Sequence, residues 1–274
     1  MKKTIILALA LCMSMAAAGC AKTDTAEETT KAEETISEEA ETAVPEEDTE
    51  ETEADEPAGA VMSYDVYMAA ELDTEVTVET YAPAKQSWPE EKTTVYSQDQ
   101  DGAYFIYNMA CSEEDYEKLV PGTKIRVTGY KSEWAGEVEI MDAVFEFVDG
   151  EQFAAEPVDI TELLGSDELI NYQNQLVTFK GMTVEAAGQD SDGNDVAFLY
   201  NWDGSGTDGD DLYFNASVNG ETYTFTVESA LCDNTTDVYE AVKTLKIGQV
   251  IDMEGFLYWY EGVNPHITSV TVAE

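Results

Sequence analysis

The sequence predicts a mainly β fold: two tandem copies of a five-stranded barrel, each with one short helix between its third and fourth strands. Three observations lead there. An internal repeat recurs at a constant shift of 126 residues. From about Met62 the apolar residues alternate as they do in strands. Turn-forming dipeptides separate paired strand-like runs in both copies.

The repeat sets Leu119-Val-Pro-Gly-Thr-Lys-Ile-Arg-Val-Thr-Gly129-Tyr130 over Leu245-Lys-Ile-Gly-Gln-Val-Ile-Asp-Met-Glu-Gly255-Phe256, and it continues through Gly136 and Gly262. In the first copy a strand over Glu75 to Tyr81 precedes a hairpin from Thr93 to Ala110, turning at Asp101-Gly102. A helix from Ser112 to Val120 follows, opened by Ser112 with Asp115 three residues on, in the manner of a capping box. The repeat strand and a closing strand, Val138 to Val148, complete the copy.

The second copy runs in the same order. Its strand spans Leu176 to Ala186, and its hairpin spans Leu212 to Ser229 around Asn219-Gly220. Both hairpin turns carry residue types that tolerate positive φ. The second helix, about Thr236 to Lys246, places Val238, Ala241, Val242 and Leu245 on one face. The closing strand is His266 to Val272. Cys111 and Cys232 fall at matching places, where the third strand enters the helix.

Strand, hairpin, helix, strand, strand is the order of the OB-fold, a small Greek-key barrel. The competing arrangement is a β-sandwich with a helical insertion. Asn171 to Gly181 also resembles the entry to many OB domains. The expected division is an OB-like domain over 60–150 and a second over 151–274, with Glu151 to Leu169 as the joint.

Ahead of the barrels, Lys2-Lys3, the apolar run Ile5 to Met15 and Ala17-Ala18-Gly19-Cys20 form a separate segment, too short to span a bilayer permanently. It resembles the bacterial lipoprotein signal. The resemblance implies cleavage before Cys20, a diacylglyceryl group on that cysteine, and attachment to the outer face of the cell membrane. Residues 1–19 are then the signal, and 20–59 the lipidated cysteine with an acidic tether. Residues 21–57 hold sixteen acidic residues and two lysines with no aromatic, too little apolar surface to offset the entropy of ordering. The whole chain resembles Gram-positive-type bacterial lipoproteins with tandem OB-fold domains, a family that carries over no single activity.

The formal net charge is −45, and Arg126 is the only arginine. Such a balance argues against nucleic acid as a partner, since phosphate backbones require clustered basic residues. It also leaves membrane attachment to the lipid on Cys20. Cys111 and Cys232 form no disulfide framework and read as buried small hydrophobes, with an interdomain bridge as the alternative.

The four tryptophans fall in matching loops. Trp88 and Trp202 lie between the first and second strands of each copy, and Trp134 and Trp259 between the fourth and fifth. Those loops flank the face on which OB-folds bind oligonucleotides and oligosaccharides. They are candidate stacking residues for glycan or peptide in each domain; Tyr258 and Tyr260 thicken the second platform, and Glu133, Glu137 and Glu261 offer acceptors. The competing role is core at the barrel ends.

Asp190, Asp192 and Asn194 place oxygens at alternate positions in a Gly-rich insert, a pattern suited to Ca²⁺; Asp203 to Asp211 continues the acidic run. The same pattern also makes a solvated turn. His266, the only histidine, has no nucleophile or metal partner near it in sequence and reads as structural. No nucleophile motif or phosphate loop is present, and no catalytic residue is assigned. The expected function is non-enzymatic: a lipid-anchored binding or accessory module for extracellular glycan or peptide. The alternatives are a structural envelope lipoprotein and a calcium-dependent adhesion module.

Overall fold

The computed structural model describes residues 59–273. The segment expected to be an export signal, Cys20 and the acidic stretch as far as residue 58 lie outside the described residues.

The first barrel is built from β1 (Glu75–Lys85), β2 (Lys92–Gln98), β3 (Ala103–Ala110), β4 (Thr123–Trp134) and β5 (Glu137–Phe147), closed in the order β1-β2-β3-β5-β4. Helix α2 (Glu113–Lys118) joins β3 to β4, as expected from the sequence. Ser112 caps it, its Oγ accepting from the Asp115 amide at 3.2 Å. Val76, Val78, Val95, Ile106, Ile125, Val127 and Ile140 fill the interior.

Helix α1 (Tyr64–Ala69) was among the elements not legible in advance. It precedes β1 where strand-like alternation was expected. At six residues it is too short to display a helical period. It drives Tyr67 into the barrel mouth, 5.1 Å from the Tyr104 ring. The Lys131 ammonium holds its last turn, donating to the carbonyls of Met68 at 2.7 Å and Ala70 at 2.8 Å.

The second barrel follows β6 (Val158–Asp159) and two 3-10 turns, Thr161–Leu163 and Asp167–Tyr172. It comprises β7 (Leu176–Glu185), the short β8 (Gly188–Gln189), β9 (Asp195–Val196) and β10 (Phe198–Tyr200), then β11 (Leu212–Val218) and β12 (Glu221–Val227). Helix α3 (Asp237–Lys243), β13 (Val250–Phe256) and β14 (His266–Val272) complete it. Strand β11 pairs with both β12 and β7, which gives the same ring of neighbours as in the first barrel. In each, the third and last strands pair in parallel, β3 with β5 and β12 with β14. The fold is two OB-like barrels. The expected joint is partly strand: β6 pairs in parallel with β7 and belongs to the second sheet.

The repeated glycines have one structural cause. Gly129 and Gly255 sit where the pairing of β4 with β5, and of β13 with β14, skips a residue. A Cβ on Gly129 would stand 2.7 Å from the Met141 carbonyl oxygen. One on Gly255 would overlap the His266 carbonyl. The hairpin turns differ from each other. Asn219 and Gly220 have φ of 54° and 87°, the expected conformation. The Asp101-Gly102 turn uses no positive φ; Asp99 Oδ1 instead accepts from the amides of Asp101 and Gly102 at 2.8 and 2.9 Å.

The two barrels pack against each other through Tyr96, Phe105 and Phe256, all buried. Polar bonds cross the same boundary. The Gln86 amide reaches both Glu228 oxygens at 2.8 Å, and the Leu176 amide donates to Gln98 Oε1 at 2.8 Å. The Trp259 amide donates to Glu137 Oε2 at 2.9 Å. Cys111 and Cys232 are free, buried thiols, not a bridge, and burial pushes Cys111 up to about 11 and Cys232 up to about 12.

Candidate functional site

Pleating places alternate residues of β11 and β12 on opposite sides. Leu212, Phe214, Ala216, Phe225 and Val227 face the core. Tyr213, Asn215 and Thr224 therefore look outward, and they line an open cavity of about 330 Å³. The Thr224 hydroxyl donates to Asn215 Oδ1 at 2.9 Å, and the Asn215 amide donates to the Ala186 carbonyl at 3.0 Å, which fixes the amide's orientation. Two aromatic side chains stand at the rim. Trp202 is 76% exposed and Tyr260 49% exposed.

Each rim residue is held by its loop. Asn201, with φ of 57°, turns the chain before Trp202, and its amide donates to the Asp211 carbonyl at 2.8 Å. Asp203 Oδ1 accepts from the Ser205 amide at 3.0 Å on the other side. Tyr260 rides a tight loop in which its own amide donates to Gly262 and the Asn264 amide donates to Tyr258. This is the outward face of the second and third long strands, flanked by the loops that OB-folds use for ligands.

The same face of the first barrel is not open. Tyr96 and Phe105, partners across β2 and β3, point outward and are covered by Phe256 and Tyr258 of the second barrel. What remains open is a groove of about 400 Å³ at the junction, lined by Tyr107, Ser132, Glu133, Trp134, Glu139, Met141 and Tyr258.

The six aromatic residues expected at the ligand loops of the two domains fall in different places. Trp202 and Tyr260 share the β11–β12 face. Trp134 and Tyr258 share the junction groove. Trp134 is the last residue of β4 rather than a loop residue, opposite Glu137, and is 62% exposed. Trp88 is a packing residue: its indole donates to the Cys111 carbonyl at 2.7 Å and its ring stacks on Tyr116. Trp259 is half-buried at the barrel boundary, where a Cβ on Gly136 would meet its ring at 2.9 Å. Tyr213, Asn215, Thr224, Tyr107 and Glu139 were not among the expected residues. The outward parity of β11 and β12 was the signal that could have found the first three.

Carboxylates of the acidic insert close turns. Asp190 Oδ1 accepts from the amides of Asp192 and Asn194 at 2.9 and 2.8 Å. The Asn194 side chain and these amides hold the Asp190 carboxyl below its ordinary value. Asp208 is held by Lys243 at 2.7 Å and by Asn234 at 3.1 Å. Among the described residues no group of three or more His, Cys, Asp or Glu side chains is placed to hold a metal ion. Asp190, Asp192 and Asn194, the expected calcium ligands, lie together in a turn that the Asp190 carboxylate closes on the amides of the other two.

At the boundary between the barrels lies Glu137, fully buried, with Oε1 lacking a hydrogen-bond partner. Burial pushes its carboxyl up to about 8, opposed by bonds from Asn174 and the Trp259 amide. Glu228, nearby, differs. Burial raises it, but bonds from His266, Tyr96 and Gln86 outweigh burial and hold it below the ordinary range.

No protein-family model matches the chain. No curated protein matches it either. Solved structures do. A murine DNA-binding protein bound with double-stranded DNA is 10% identical over 72% of this chain and 96% of its own, with a TM-score of 0.34. The HINa domain of Ifi202 in complex with 20-base-pair double-stranded DNA is 13% identical over 74% and 96%, with a TM-score of 0.31. A Replication Protein A heterotrimer bound to single-stranded DNA is 12% identical over 76% of this chain and 51% of its own, with a TM-score of 0.31. At these TM-scores the likenesses carry no argument about what this chain binds. One expectation is withdrawn. Nucleic acid was set aside on net charge, yet these three matching structures are described as bound to DNA. Net charge is a sum over the whole surface and does not describe one face of one barrel, so it is no ground for that exclusion.

Proposed function

We propose that the chain is a non-enzymatic, lipid-anchored glycan-binding accessory protein on the outer face of the cell membrane, with the β11–β12 face as its ligand site. One observation carries the reading: two exposed aromatic rings, Trp202 and Tyr260, stand beside a floor of neutral amide and hydroxyl groups from Asn215 and Thr224. Sugars offer apolar C–H faces to such rings and hydroxyls to such amides. Ionised groups do not line this cavity, which suits an uncharged ligand. The lipidation motif ending at Cys20 and the acidic stretch behind it support placement at a membrane surface, held away from it by a charged tether.

The test is a screen of soluble and insoluble polysaccharides with the full chain, repeated with Trp202→Ala. Binding by the wild-type chain and a loss of about 1–3 kcal/mol in the variant, at unchanged thermal midpoint, is the expected result. Equal binding by both forms, or no binding by either, removes the proposal.

A further inference from the structure

We propose that the junction groove is a second site, which binds the basic side chain of a peptide. The alkyl stem would lie between Trp134, Tyr107 and Tyr258, and the positive charge would sit on Glu139 and Glu133.

Glu139 carries the argument. Its residue is only 5% exposed, yet its side chain borders the groove. Among the described residues no cation pairs with it and no donor is bonded to it; burial alone perturbs its carboxyl, upward. A buried carboxylate without a partner is costly, and a cation delivered by a ligand removes that cost. Strand pairing builds this arrangement. Ser132 lies opposite Glu139 and Trp134 opposite Glu137, so the indole and the carboxylate rise from neighbouring strands on one face. Tyr258 comes from the other barrel and is fixed by stacking on His266 at 4.4 Å.

The walls select the kind of cation. Ring faces attract a positive charge and pack an aliphatic stem, which lysine and arginine both present. A bare metal ion would make no use of the rings. The net charge of −45 draws a basic partner toward the chain from a distance. The site is separate from the β11–β12 face and does not depend on the glycan reading.

The experiment is calorimetric titration of the full chain, at near-physiological salt, with acetyl-Gly-Lys-Gly-amide and acetyl-Gly-Arg-Gly-amide. Their neutral counterparts carry acetyl-lysine and citrulline. Saturable binding of a charged peptide, at least about tenfold tighter than its neutral counterpart, is the expected result. Trp134→Ala and Glu139→Gln should each weaken it by at least about tenfold, while Trp202→Ala leaves it unchanged. If charged and neutral peptides bind alike, if neither variant weakens binding, or if no saturable binding occurs, the proposal is overturned. Should Glu139→Gln not fold, Trp134→Ala decides alone, since it removes a ring that is 62% exposed.

Discussion

Tyr96 and His266 stand 170 residues apart in sequence and meet, hydroxyl to Nδ1, at the contact between the barrels. Both also reach Glu228, each at 3.2 Å from Oε2. One partly buried carboxylate thus ties β2 of the first barrel to the first residue of β14 in the second. Tyr96→Phe removes one donor from this group and is expected to cost about 1–3 kcal/mol of stability, read from chemical denaturation.

Acid stability should follow Glu228. Its carboxyl is depressed in the folded chain, so its contribution is present above the unfolded value and is lost as pH falls through the folded one. His266→Gln removes a partner that holds it down. Denaturation midpoints measured from about pH 6 to pH 2 should then start lower and fall less with acid in the variant than in the wild type. Superimposable pH profiles would show that the His266 bond does not set this limit.

Glu137 should act with the opposite sign. Its folded carboxyl is raised to about 8, so folding favours the protonated form. That contribution is complete below the unfolded value and is lost as pH rises through about 8. The wild-type chain should lose up to about 4 kcal/mol between pH 5 and pH 9 through this group, and Glu137→Gln should flatten the profile. A variant that retains the alkaline loss would place its origin elsewhere.

The bulge glycines offer a packing test. Gly255→Ala forces a methyl group onto the His266 carbonyl, and Gly129→Ala forces one onto that of Met141. Each should cost about 2–4 kcal/mol, because backbone cannot yield as a flexible side chain does. Gly220→Ala, where nothing lies within 4 Å of the new Cβ, should cost about 1 kcal/mol through its positive φ alone. Equal losses at all three positions would remove the close-approach argument.

The tryptophans should separate by stability. Trp134→Ala and Trp202→Ala remove exposed rings and should change stability by less than about 1 kcal/mol. Trp88→Ala breaks a bond to Cys111 and a stack on Tyr116, and Trp259→Ala opens the barrel boundary. Those two should cost about 2–4 kcal/mol. Four equal midpoints in denaturant would contradict this division.

Strand order, both hairpins, the Ser112 cap and the recurrence of Gly129 at Gly255 were legible in the sequence, because each rests on local periodicity or local sterics. Strand alternation alone determines which side chains of a barrel point outward. It does not determine what an outward side chain meets. Tyr96, Phe105, Trp134 and Tyr213 all face outward; the first two are buried under the second barrel, and the others border open cavities. The unbroken run Ala103-Tyr104-Phe105-Ile106 was the one local sign that β3 is covered on both sides. Only the docking of one barrel on the other brought His266 to Tyr96 and closed one ligand face while leaving its counterpart open. That docking joins residues far apart in the chain, and it is set by shape and burial across a surface rather than by any pattern within a single strand.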